Sequence, residues 1–150
     1  MRRSFQAITR SFGVLNKICC SVDGIDVSAV QSHILYEIDS NDQPSMQQVA
    51  DLLGIDIATF SRQIQTLVKM ELVEKIPSKE DKRASNLILT EKGKKVAREI
   101  DKQVNVFLED IFSSMTDFEK QTVQGAVKLL ADAMTKSPMC CGSKKESGSC

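Results

Sequence analysis

Residues 45–93 read SMQQVADLLGIDIATFSRQIQTLVKMELVEKIPSKEDKRASNLILTEKG. Ser45 with Gln48 three residues on is a capping box, so a short helix starts there and runs to Leu53 with Val49, Leu52 and Leu53 inward. Gly54, Ile55 and Asp56 make a tight turn. A second helix, over about 57–70, buries Phe60, Ile64, Leu67 and Val68 and leaves Thr59, Ser61, Arg62, Gln63, Gln65, Thr66 and Lys69 outside. Two strand-like runs follow at 72–76 and 86–90, with a polar, basic tip between them, which is a hairpin. Helix, glycine-containing turn and a second helix with a small-polar outer face make a helix-turn-helix unit, and the hairpin adds a wing. The predicted fold class is mainly α with a small β-hairpin wing.

Such a second helix fits the major groove of duplex DNA. There Arg and Gln make bidentate contacts with guanine and adenine, and Ser and Thr approach base edges closely. Arg62 is the first choice for a base contact. Thr59, Ser61, Gln63 and Gln65 contact either base or phosphate, since phosphate and sugar take about half or more of protein–DNA hydrogen bonds. Ser45 at the start of the first helix and Lys79, Asp81, Lys82 and Arg83 on the hairpin complete the candidate DNA-binding set.

Charge distribution agrees with this reading, although the net charge does not. The 20 basic and 20 acidic residues cancel. Residues 75–98, however, hold eight basic side chains against three acidic ones, whereas residues 23–56 hold seven acidic side chains and no Lys or Arg. One strongly basic segment is the footprint of a phosphate-binding surface. With 150 residues, 41% of them hydrophobic, the chain suffices for one domain with its own core.

Working outward, Phe5, Ile8, Phe12, Leu15 and Cys19 form an apolar stripe on a predicted helix over 2–22 that Gly24 ends. Asp26 is placed as the N-cap of a helix to about 38, with Val30, Ile34, Leu35 and Ile38 inward. Thr90 caps a long helix over about 91–114, and Thr116 with Glu119 opens a last one to Lys136. The stripes over 5–22 and 104–134 are long for a monomer and imply a partner surface. The domain plan is thus a regulator over 1–136, with a DNA-binding part at about 26–95 and dimerisation helices at about 2–22 and 91–136. A mobile, cysteine-containing tail follows at 137–150.

The stretch 26–95 resembles the MarR-type winged-helix regulators. The residues that carry the resemblance are Leu53-Gly54-Ile55-Asp56, Thr59-Phe60-Ser61-Arg62, Leu67 and Leu72-Val73. Above all they are the run from Asp81 to Gly93, which looks like that family's Asp-x-Arg wing and Leu-Thr-x-x-Gly signature. The resemblance implies a homodimer that interleaves its first and last helices on a double-stranded, pseudo-palindromic operator. It implies a repressor whose Arg83 enters the minor groove while Asp81 steadies the wing; the cytoplasm is the place expected from the lack of a long apolar run and from Gln6, Thr9 and Arg10, which interrupt any secretory-type segment. The chain departs from the family at Glu71, where glycine is usual and a left-handed conformation would be natural, and at Thr66 and Val68, commonly charged positions.

Cys19, Cys20, Cys140, Cys141 and Cys150 form two vicinal pairs and a terminal single. In a reducing compartment they are reactive or ligand thiols rather than a disulfide framework, and adjacent thiolates select a thiophilic metal or metalloid such as trivalent arsenic. The alternative is a thiol-based sensor of organic peroxide, with Cys19 or Cys20 peroxidatic and Cys140 or Cys141 resolving, which looks like the peroxide-sensing branch of the same family. A four-thiolate zinc site lacks the usual Cys-x-x-Cys spacing. Cys19 on the apolar stripe also fits a small buried hydrophobe. His33 reads as a surface or packed residue. The sequence shows no Gly-rich phosphate loop, nucleophile elbow or paired metal motif, so no enzyme, catalytic residue or required cofactor is expected. Nor is a membrane partner, since no apolar run approaches the ~18 residues of a spanning helix. A thiol peroxidase and a winged-helix interaction module without DNA binding are the distant alternatives, and the Asp81/Arg83 wing argues against the second.

Overall fold

A computed structural model describes residues 2–11, 20–78 and 85–136. The elements run α1 (Arg2–Ser11), β1 (Cys20–Val22), β2 (Ile25–Val27), α2 (Ala29–Ser40), α3 (Met46–Leu53), α4 (Ile57–Lys69), β3 (Val73–Pro77), β4 (Ser85–Leu89), α5 (Glu91–Ser113) and α6 (Asp117–Lys136). They fall into two compact units, Met1–Lys102 and Gln103–Cys150. Among the described residues no helix is long and apolar enough to cross a membrane.

In the first unit, the helix-turn-helix forms as its local signals direct. Ser45 caps α3 reciprocally with Gln48, its hydroxyl accepting from the Gln48 N–H at 3.2 Å while the Gln48 side chain accepts the Ser45 N–H at 2.7 Å. Gly54 ends α3 in the left-handed region at φ 63°, and the Gly54 and Ile55 N–H groups close back on Asp51 and Ala50. Asp56 then caps α4 by accepting the Thr59 N–H at 2.9 Å. The core joins Ile34, Leu35 and Ile38 of α2, Val49 of α3, Phe60, Ile64 and Leu67 of α4, Leu72 and Val73, Leu87 and Leu89 of β4, and Val96 and Ile100 of α5.

The helix expected over 2–22 is shorter. It is described over Arg2–Ser11, and at the far end of the expected range Cys20–Val22 is instead a strand paired antiparallel with Ile25–Val27 in the register Cys20 to Val27. The cause is the Asp23-Gly24 turn, where both residues have positive φ, 50° and 79°. That is the geometry of a two-residue hairpin that Asp-Gly favours. Its alternation puts Cys20, Val22 and Val27 into the core. Asp26 therefore lies in β2, and α2 is capped instead by Ser28, in a capping box with Gln31. Three apolar residues expected inside lie exposed: Val30 (41%), Leu52 (62%) and Val68 (39%). Each sits at the edge of its helix's buried stripe, and the stripes are narrower than apolar spacing suggested.

The second unit comprises the end of α5 and α6, which Thr116 and Glu119 start with the expected capping box. Among the described side chains of α6 none is buried, and Phe118, Val127, Leu129, Leu130 and Met134 are all exposed. Phe12, Leu15, Cys19 and the tail at 137–150 lie outside the described residues.

Candidate nucleic-acid interface

α4 has two faces with different chemistry. Phe60, Ile64 and Leu67 are fully buried and fix the helix's rotation about its axis. On the opposite side Thr59, Arg62, Gln65, Thr66 and Lys69 are exposed, with Ser61 and Gln63 half-buried at the flanks. The outward row Thr59, Arg62, Thr66 and Lys69 advances by three or four residues a step, one stripe along the helix. Thr66 and Lys69 were not among the candidate contacts, although this period marks them.

Local hydrogen bonds rank these side chains. The Asp56 carboxyl is held below its ordinary value, chiefly by hydrogen bonds from Thr59, its side chain first and then its N–H, and least by the Arg62 charge. The Thr59 hydroxyl thus serves the cap. The Thr66 hydroxyl donates to the Arg62 carbonyl at 3.1 Å. Both threonines can still accept, but Arg62 and the two glutamines carry paired donors, the kind of group able to read base edges.

The wing is fastened to the helix-turn-helix at its base. β3 and β4 pair from Val73 with Leu89 to Pro77 with Ser85, and the Leu87 N–H donates to the Pro44 carbonyl at 2.9 Å. Ser45 bridges to Asn86, so the residue that caps α3 also touches the wing strand. Ser45 is half-buried there. The hairpin strands thus leave the body beside the start of α3. Lys79, Asp81, Lys82 and Arg83, the candidate contacts of the hairpin, lie outside the described residues.

The basic segment divides once its partners are known. Lys92, Lys94 and Lys95, at the start of α5, each meet a carboxylate: Glu71 at 3.3 Å, Glu91 at 2.7 Å and Asp23 at 2.7 Å. The Asp23 contact raises the Lys95 ammonium above its ordinary value. Of the remaining cations, Lys75 on β3 is exposed, and Lys79, Lys82 and Arg83 lie outside the described residues.

Where α4 ends, the chain departs from its resemblance in sequence but not in shape. The Glu71 N–H donates to Val68 and the Leu72 N–H to Leu67, both at 3.0 Å, a Schellman closure in which Glu71 takes the left-handed position at φ 61°. α5 docks on this turn. Thr90 donates its N–H to the Leu72 carbonyl and its hydroxyl to the Glu71 carbonyl, while the same hydroxyl oxygen accepts the Gly93 N–H. A Cβ on Gly93 would overlap the Leu72 carbonyl oxygen. This explains the Leu-Thr-x-x-Gly run physically: threonine ties the helix start to the turn, and glycine lets the two backbones approach.

Of the cysteines, only Cys20 is among the described residues. It is 8% exposed and packs in the core from β1. Cys19, Cys140, Cys141 and Cys150 lie outside. Among the described residues no group of three or more His, Cys, Asp or Glu is placed to hold a metal ion.

The sequence profile of the MarR family matches residues 27–85, which begin at the end of β2 and reach the start of β4. YybA, an uncharacterised HTH-type transcriptional regulator of Bacillus subtilis (strain 168), is 26% identical over 121 residues, covering 77% of this chain and 81% of that protein. A MarR protein from Peptoclostridium difficile is 28% identical, with a TM-score of 0.75 over 88% of this chain and 85% of that one. At 20% identity the chain shares the fold of FabT from Streptococcus pneumoniae, whose structure is in complex with DNA, with a TM-score of 0.76 over 90% of this chain and 97% of that one. The winged helix-turn-helix, its wing and turn signatures and these relatives agree in supporting a MarR-type winged-helix transcriptional regulator.

Proposed function

We propose that the chain is a homodimeric repressor acting in the cytoplasm, which lays α4 in the major groove of each half of a pseudo-palindromic operator and inserts Arg83 of the wing into the adjoining minor groove. The observation that carries this is the outer stripe of α4, with Arg62 at its centre, held over a fully buried inner stripe. A narrow minor groove has an enhanced negative potential that favours an inserted arginine. FabT in complex with DNA, and a mutant of the E. coli regulator MarR complexed with operator DNA, support the same use of the fold.

Dimerisation is supported by the apolar side chains that α1, α5 and α6 leave exposed, among them Phe5, Ile8, Val106, Phe107, Phe118 and Leu129. A two-fold dimer reads half-sites about 34 Å apart. The effector acts on thiolates. With Cys20 buried, the soft metal or metalloid site draws first on Cys140, Cys141 and Cys150, and Cys20 contributes only if β1 opens.

The test is a gel-shift titration on a duplex selected by the protein from a random pool. Arg62→Ala should weaken binding by about 10- to 100-fold and Arg83→Ala should abolish it, while the dimer stays folded; unchanged affinity would remove the assigned contacts. Release of that duplex by arsenite, zinc, copper(I) or organic hydroperoxide, repeated with paired Cys→Ser variants, identifies the effector class. If none releases it, the cysteine reading fails and the repressor reading stands.

A further inference from the structure

Glu71 occupies a left-handed backbone position that favours glycine, so its side chain must be accounted for by something other than backbone ease. What the carboxylate does is visible in its partner. Lys92, on the first turn of α5, donates from Nζ to the Met70 carbonyl at 2.9 Å and to Glu71 Oε2 at 3.3 Å. Met70 is the C-cap of α4. An ammonium there meets an orphan carbonyl at the negative end of the helix, which is where a cation is favoured. The Glu71 carboxylate keeps the ammonium over that carbonyl. A glycine in its place would supply the turn but not the anchor.

We propose that Glu71 and Lys92 are positioning residues for operator binding: the pair pins the C-terminal end of α4 to the start of α5 and so sets the angle at which Arg62 and Lys69 meet DNA. This rests on the reading of α4 as the recognition helix. The two side chains are 81% and 45% exposed, so the pair adds little to global stability. Groove contacts are far less forgiving, since productive geometry holds only within about 0.5 Å and 10–20°. Lost affinity at unchanged stability is therefore the signature.

The rival role for Lys92 is a direct phosphate contact, and the two roles give opposite signs for one substitution. Were Lys92 a phosphate contact, Glu71→Gln would remove a competing carboxylate and tighten binding. In that case Lys92→Met would also lower the slope of log K against log salt by about 0.9 per subunit. As a positioning pair, Glu71→Gln and Lys92→Met each weaken binding by about fivefold. The salt slope is unchanged, the double variant is no weaker than either single one, and Lys92→Arg stays near wild type.

The measurement is operator affinity by fluorescence anisotropy at four salt concentrations, with thermal melts alongside, on the selected duplex. Fivefold weakening by both single variants at an unchanged slope and melting temperature supports the proposal. Tighter binding by Glu71→Gln, a lowered slope for Lys92→Met, or affinities equal to wild type overturns it and leaves the operator-binding reading intact. Absence of any salt-dependent binding by the wild-type protein overturns both.

Discussion

Replacing Gly93 by alanine tests how α5 is mounted on the recognition helix. The added Cβ would overlap the Leu72 carbonyl oxygen and stand 2.9 Å from its carbon. Both atoms are backbone, and the turn that carries them is held on either side, by the Leu72 N–H to Leu67 and the Thr90 N–H to Leu72. Carbon and carbonyl oxygen approach to about 3.3 Å, so α5 must retreat by roughly 1 Å or more. That breaks or weakens the two Thr90 bonds to Leu72 and Glu71, at about 1 kcal/mol each. It also draws Val96 and Ile100 off the core, an overpacking response of about 1–3 kcal/mol. Alanine's better helix propensity returns about 1 kcal/mol. The net loss is about 2–4 kcal/mol, a fall in melting temperature of roughly 6–12 °C for a chain of this size. Circular-dichroism melts of the two proteins at equal concentration decide it. A fall of less than about 2 °C, or a rise, would refute the reasoning that backbone contact makes this glycine obligatory.

Gly125, on α6, has nothing within 4 Å of a Cβ built on it. Gly125→Ala should therefore raise the melting temperature by about 2–4 °C through helix propensity alone, and a fall would place that face of α6 against a partner helix. Arg62→Ala should weaken binding by about 10- to 100-fold and relax preference at one base position, measured by competition with single-base variants of the selected duplex. The Asp56, Glu91 and Glu119 carboxyls all lie below their ordinary values, held there chiefly by hydrogen bonds from Thr59, Lys94 and Thr116 respectively. A carboxyl depressed on folding contributes stability above its unfolded value and loses it as pH falls through its folded one. Melting temperature should thus be insensitive to these groups from pH 6 to 8 and decline below about pH 4, with a shallower decline in Asp56→Asn.

What the sequence disclosed was mostly what neighbouring residues decide between themselves. Ser45 with Gln48 and Thr116 with Glu119 are reciprocal caps, complete within four residues, and both helices start where those pairs place them. Ser28 with Gln31 is the same signal, but Asp26 two residues earlier competed for it, and only strand pairing shows that Asp26 is already committed to β2. The hairpin at 20–27 was hidden by an apolar stripe that extends to Cys19, although Asp23-Gly24 is the turn that hairpins use. Leu52 and Val68 failed for a different reason. Periodicity gives the direction of a buried face but not its width, which the neighbouring elements set. The site was legible in the same measure: Arg62 stands where helical phase puts it, while the contacts that tie the end of α4 to the start of α5 join residues about twenty positions apart and leave no local mark.

That division bears on how a chain with no net charge holds DNA. Counting charge along 75–98 treats eight cations alike, yet Lys92, Lys94 and Lys95 are bound to carboxylates around the start of α5. Their partners, Glu71, Glu91 and Asp23, make that end of the helix close to neutral. Under the proposed function, counterion release then comes from the hairpin and from Arg62 and Lys69, and Lys94→Gln should leave the salt slope of binding unchanged whereas Lys75→Gln or Lys79→Gln should lower it by about 0.9 per subunit. Under that reading, cationic charge placed on the hairpin and the outer stripe of α4 orients the protein before any base is read, although the total is neutral.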